Sequence, residues 1–90
     1  MKKEEVEIYS DASNFAVLRH PGRHFPGSLI QGDSLYILLQ NVIEAKEELD
    51  NGDGNAASEI LEDVIEILAD RLEHYKKTLR EHGCELPFVE

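Results

Sequence analysis

The chain has no tryptophan, a single cysteine, and only nine Lys and Arg residues against 19 Asp and Glu in its 90 residues. A lone thiol, Cys84, cannot form a disulfide within the chain, which favours a reducing, cytoplasmic compartment. The shortage of bases argues against nucleic-acid binding, because that draws on clustered Lys and Arg. It also disfavours an anionic membrane surface. No apolar run approaches the roughly 20 residues of a membrane-spanning helix, and no signal peptide is evident.

Glycine and proline are missing from residues 33–51 and 55–82. Apolar residues recur there at three- and four-residue steps, as on one face of a helix. They are Leu35, Leu38, Leu39, Val42, Ala45 and Leu49 in the first stretch, and Ala57, Leu61, Val64, Leu68, Leu72, Tyr75 and Leu79 in the second. The pattern predicts a helical hairpin over residues 33–83 with a long second helix. Asp33 or Ser34 and then Asn55 are the expected N-caps, with stops at Gly52 and Gly83.

Residues 1–32 favour β structure. Glu5 to Tyr9 alternates apolar and polar side chains, as a strand with one buried face does. Residues 15–18 are apolar on both faces and predict a covered or central strand, and residues 28–31 are a third candidate. We therefore predict one α+β domain over residues 1–90, with a small antiparallel sheet of two to three strands before the hairpin. The tail, residues 84–90, is expected to dock as an extended segment or to add a short strand.

Charge is distributed unevenly along the chain. Residues 33–90 carry 15 acids and 5 bases, whereas the 21 residues from 12 to 32 hold no acid. That acid-free window contains five candidate binding residues: Arg19, His20, Arg23, His24 and Phe25. Two Pro-Gly pairs also lie there, and each suits a type II turn, which would make the segment stiff. Because a guanidinium suits carboxylate or phosphate, we predict a loop that binds an anionic ligand or an acidic group of a protein partner.

A plainer interpretation of the same loop is also open. Arg19 and Arg23 could pair with acids of the protein itself, while Phe25 fills the core.

The same segment carries a resemblance. The elements Asn14 to Arg19, Arg-x-Phe-Pro-Gly at residues 23–27 and Gln-Gly-Asp-Ser at residues 31–34 resemble a family of short bacterial proteins catalogued as a domain of unknown function. The likeness covers residues 6–50. It implies no activity, cofactor or catalytic residue.

Other patterns in the chain are weaker. Residues 51–62 resemble a calcium-binding loop, but Asn51 and Ala56 stand where Asp and Gly belong, so a glycine-rich turn is favoured. No metal, cofactor or catalytic residue is predicted. The second helix carries an acidic strip that is either its solvated face or a surface for a basic partner; its members are Glu59, Glu62, Asp63, Glu66, Asp70 and Glu73.

These observations favour a small, non-enzymatic binding or interaction protein that acts through the Arg/His loop. We also expect a homodimer through the second helix, because its apolar band is wide for so short a chain. Two alternatives stay open. One is an acidic interaction protein that neutralises a toxin or mimics nucleic acid through the second helix, and the other is an enzyme of unknown type.

Overall fold

The computed structural model describes all 90 residues as three short strands followed by two helices. The strands are β1 (Glu7–Ser10), β2 (Val17–Arg19) and β3 (Gly27–Ser28), and the helices are α1 (Gly32–Asp50) and α2 (Gly54–Glu81). The strands pair antiparallel in the order β1-β2-β3. The predicted α+β class, with its sheet, its hairpin and its longer second helix, is therefore confirmed.

Strand β2 lies at the centre of the sheet, as its apolar sequence predicts, and Val17 is fully buried. The alternation in β1 predicts that its apolar face, which includes Ile8, points toward the core, and this prediction is wrong. Ile8 is exposed, whereas Tyr9 packs against the core. The pairing register shifts between Ile8 and Ser10, and such an irregularity changes which side chain of a strand faces the core.

The helix caps differ from the expected ones. Helix α1 begins at Gly32, and Gln31 stands at its N-cap without a side-chain hydrogen bond. Helix α2 is capped by Asp53 rather than Asn55, since Asp53 Oδ1 accepts from the amide of Ala56 at 3.0 Å. Both predicted stops are confirmed, because Gly52 and Gly83 have φ of +83° and +68° just past the helix ends. Neither helix combines the length and apolar character that crossing a membrane requires.

The chain divides into two compact units. The first, called the sheet unit, comprises Met1–Ile30 and Arg71–Glu90; the second, called the hairpin unit, comprises Gln31–Asp70. In the sheet unit, Val17 of β2 packs with Tyr75 and Leu79 of α2, and these three buried residues form its core.

The hairpin unit buries little of its predicted apolar face. Only Ala45, Ala57 and Val64 are buried there. Eleven larger apolar residues of this unit are at least 40% exposed: Leu35, Tyr36, Ile37, Leu39, Val42, Ile43, Leu49, Leu61, Ile65, Ile67 and Leu68. The stripes read from the sequence are helical as expected, but most of their members do not face a core.

The tail docks without forming a strand. Leu86 packs against the core of the sheet unit. The Lys76 ammonium pairs with Glu73 at 2.7 Å and with Glu90 at 2.5 Å. Hydrogen bonds to Glu73 and Glu90 raise the pKa of Lys76, and the bond to Lys76 lowers the pKa of the Glu90 carboxyl. These contacts fasten both ends of the tail to α2.

Replacing Leu79 by Ala tests the importance of this small core. Leu79 is fully buried, so Leu79→Ala removes apolar contacts and leaves a cavity, with an expected loss of about 2–5 kcal/mol in the free energy of unfolding. Urea unfolding followed by circular dichroism measures it. Ile67→Ala, at a half-exposed position of the same helix, should cost about 1 kcal/mol or less. Equal losses for the two variants would contradict the assignment of the core.

Candidate functional site

The loop between β2 and β3, residues 20–26, contains one of the two predicted turns. The amide of Arg23 donates to the carbonyl of His20 at 3.1 Å, with Pro21 and Gly22 between them. Gly22 has φ of +81°, which the third position of a type II turn requires and a side chain disfavours. The first Pro-Gly pair is therefore a tight turn, as expected.

The second Pro-Gly pair is not a turn, and that prediction is wrong. Gly27 begins β3 and pairs with Leu18 of β2. Pro26 is buried, and its carbonyl accepts a 2.5 Å hydrogen bond from the hydroxyl of Tyr75. Burial is the larger cause that raises the pKa of Tyr75, and the nearby Cys84 adds to it. The end of the loop is thus held by α2 rather than by its own turn.

The loop borders an open depression of about 490 Å³, which we call the loop cleft. Its lining residues are Leu18, His20, Arg23, His24, Phe25, Gly27, Ser28 and Leu29. Leu18, Phe25 and Leu29 supply its apolar surface. The polar groups beside them include a guanidinium and two imidazoles, and no lining residue is acidic. Four of the five predicted binding residues therefore come together in one concave place.

Arg23 is exposed and makes no ion pair with any acid of the chain. Nδ1 of His20 lies 2.9 Å from the carbonyl of Pro21, which can only accept, so Nδ1 donates and Nε2 is left for another partner. The ring of His24 meets that of Phe25 edge to face, with centroids 4.6 Å apart. The cleft therefore presents cationic and imidazole groups around an apolar surface.

Arg19, another of the predicted binding residues, already has partners within the chain. Its guanidinium pairs with Glu7, the residue directly opposite it on β1. A second nitrogen, Nη1, donates to the carbonyl of Arg23 at 2.9 Å. Arg19 thus ties the turn to the sheet and does not line the loop cleft. The plainer interpretation is that both arginines pair with acids of the protein itself. Arg19 does so and Arg23 does not.

A second cavity of about 300 Å³ also borders this loop. It is lined by Tyr9, Arg19, His24, Phe25, Pro26, Cys84 and Glu85. His24 and Phe25 border both cavities. The second cavity is lined by the acid Glu85 and by Arg19, which is already paired with Glu7. It is therefore less suited than the loop cleft to bind an anion.

The comparisons with known proteins give one match. A model of a family of unknown function, DUF6959, matches residues 1–88. The chain belongs to DUF6959. The match extends beyond residues 6–50, where the sequence elements of the loop lie, and covers the sheet, both helices and nearly all of the tail. Comparison with curated proteins and with solved structures finds no match.

Two residues of this DUF6959 protein, both on α2, support the cleft although no sequence pattern connects them with it. Nη1 of Arg71 donates to Ser28 Oγ at 3.2 Å and to the carbonyl of Leu29 at 2.8 Å. Its guanidinium also lies 5.5 Å from the centre of the Phe15 ring. Arg71 therefore fixes the segment from Ser28 to Leu29, and Tyr75 fixes Pro26 just before it. A base at position 71 amid the acids of α2 is the one sequence signal for this role.

Other chemically suggestive groups of the DUF6959 protein lie outside the cleft. Ser10 Oγ and Thr78 Oγ1 lie 3.0 Å and 3.3 Å from Nε2 of His74, whose ring packs near Phe15. None of these residues lines either cavity. No group of three or more His, Cys, Asp and Glu side chains is arranged to hold a metal ion. The six acids of the predicted α2 strip are all exposed, and only Glu73 forms an ion pair.

Replacing Tyr75 by Phe tests the hydrogen bond that holds the loop. The variant leaves the buried Pro26 carbonyl without its donor, so we expect a loss of about 1–3 kcal/mol in stability. Because the folded-state pKa of Tyr75 is raised above 10.0, its contribution is complete below that pH and is lost as pH rises through the folded value. Tyr75→Phe should therefore lose less stability than the wild type on going from neutral to strongly alkaline pH, measured by urea unfolding.

Tyr36→Phe is the matched control, since the Tyr36 ring is exposed on α1. It should keep the stability and the alkaline behaviour of the wild type. If Tyr75→Phe also behaves like the wild type at both pH values, the hydroxyl does not hold the loop.

Proposed function

We propose that this protein is a non-enzymatic binding module whose loop cleft takes a carboxylate carried on an apolar body. The observation that carries the proposal is the position of Arg23, an exposed guanidinium without an ion-pair partner beside Leu18, Phe25 and Leu29. A guanidinium binds a carboxylate through two parallel hydrogen bonds, and the adjacent apolar surface gains from covering by an apolar group.

Charge favours this ligand over a polyanion. The protein carries a net charge of −10, and a polyanion such as nucleic acid would be repelled by the acids outside the cleft. A ligand with one carboxylate suffers less of that repulsion and gains the contact with Arg23. An apolar body supplies the remaining affinity, because apolar contact is insensitive to the surrounding charge.

Rigidity of the loop supports binding. The turn at Pro21 and Gly22, the Arg19 bond to the Arg23 carbonyl and the Tyr75 bond to Pro26 all restrain the backbone that presents Arg23. A side chain presented from a fixed backbone loses less conformational freedom when it binds.

The cleft supports binding better than catalysis. Ser28 is its one hydroxyl, and Ser28 Oγ is engaged by Arg71 at 3.2 Å. No carboxylate among the lining residues is available to orient His20 or His24, as an activated nucleophile and its base require. The acidic strip of α2 stays a prediction, since an exposed acidic helix face has the properties of an ordinary solvated surface.

Isothermal titration of 3-phenylpropionate tests the proposal. The wild type should bind it, and Arg23→Ala should bind about tenfold more weakly or worse, as expected for a lost charged hydrogen bond. Arg80→Ala is the matched control, because Arg80 is likewise exposed and makes no ion pair but lies on α2 away from the loop. It should bind as the wild type does.

Two ligand controls separate the parts of the recognition. 3-Phenylpropionamide keeps the ring and loses the charge, so it should bind as weakly as the acid binds Arg23→Ala. Short peptides ending in phenylalanine, with free and with amidated C-termini, distinguish a protein C-terminus from a free small acid as the source of the carboxylate. An equal affinity for acid and amide, or an equal effect of Arg23→Ala and Arg80→Ala, would refute the proposal.

A further inference from the structure

The hairpin unit contains an apolar groove that the proposed function does not use. The groove encloses about 370 Å³ between α1 and α2. Ala45 and Ala57, both buried, lie along it, and Val42, Leu49 and Leu61 contribute larger apolar side chains that are about half exposed. The groove therefore combines two small residues, which leave room, with apolar side chains that lack a cover.

The unit has too little core of its own. Its buried apolar residues are two alanines and Val64, within a unit that runs from Gln31 to Asp70. A unit of about 40 residues ordinarily needs a disulfide, a metal or oligomerisation to be stable. The unit contains no cysteine, and no metal-binding cluster is present. Oligomerisation is therefore one device that would stabilise the unit.

The exposed apolar residues follow the spacing of a helix-bundle seam. On α1 they occupy residues 35, 39, 42 and 49, and on α2 residues 61, 65 and 68. These steps of three, four and seven residues are those of the a and d positions in packed helices. Lys46 occupies the one polar position of the α1 seam, where its ammonium pairs with Asp50 at 2.6 Å. Each helix thus offers a second helix-packing face in addition to the buried one.

We propose that the hairpin unit pairs with the hairpin unit of a second copy of this chain, through the groove and its seams, to form a four-helix bundle. The seven exposed apolar side chains of the two seams offer on the order of 700 Å² per copy, close to the roughly 800 Å² that a stable interface takes from each partner. A second copy brings the same seam, so a two-fold arrangement covers both copies at once.

Charge is compatible with this partner. Glu62 and Glu66 each follow a seam residue by one position, which turns them about 100° away from the seam. Two copies of net charge −10 still repel at a distance, and salt screens that repulsion. The dimer should therefore become tighter as salt is added, whereas a complex with a basic protein would become weaker.

Sedimentation equilibrium of the full chain tests the dimer with a matched pair of variants. Leu61 and Ile67 are 43% and 42% exposed on the same helix, but only Leu61 lines the groove. Their side chains point about 120° apart around α2. The wild type and Ile67→Glu should be dimers, and Leu61→Glu should be monomeric, because a carboxylate buried in the seam loses its hydration.

Thermal unfolding of the wild type gives a test that needs no variant. Its Tm should rise with protein concentration, because dissociation accompanies unfolding. A wild type that is monomeric at all concentrations, with a constant Tm, overturns the proposal. So does a Leu61→Glu variant that remains as dimeric as Ile67→Glu. Binding of 3-phenylpropionate is measured at the loop cleft and does not depend on either outcome.

Discussion

The hydrogen bond from the Tyr75 hydroxyl to the Pro26 carbonyl is the contact on which the site depends. It joins the end of the loop to the residue that, with Val17 and Leu79, makes the core of the sheet unit. The third strand has only two residues, so its ladder supplies few hydrogen bonds at the end of the loop. The loop keeps its shape because buried packing on one side and this hydrogen bond on the other act on the same tyrosine.

Local patterns allowed much of the fold to be predicted. Helical spacing and glycine placement located both helices to within a few residues, and Gly52 and Gly83 end them as expected. The predictions that are wrong concern choices that depend on tertiary contacts. Asp53 rather than Asn55 caps α2, and the irregular register of β1 turns Tyr9 inward. N-cap propensity alone cannot decide between Asp53 and Asn55, because both residue types are good N-caps.

The sequence was enough to locate the candidate site in the chain, but not to predict how its side chains are arranged. The acid-free window and the first Pro-Gly turn pointed to the loop that borders the loop cleft, because both are local properties. The separation of Arg19 from Arg23 could not be foreseen, since it follows from the pairing of Arg19 with Glu7 across the sheet. The contributions of Arg71 and Tyr75 come from α2, more than 40 residues along the chain from the groups they hold.

We propose that the loop cleft binds a ligand that joins one carboxylate to an apolar group. The most direct measurement is a titration of the ¹⁵N-labelled protein with 3-phenylpropionate, following amide chemical shifts by NMR. Binding in the loop cleft should give saturable shifts that centre on residues 18–29, with the largest around Arg23 and Phe25. Saturable shifts centred elsewhere, or none at any concentration, would contradict it.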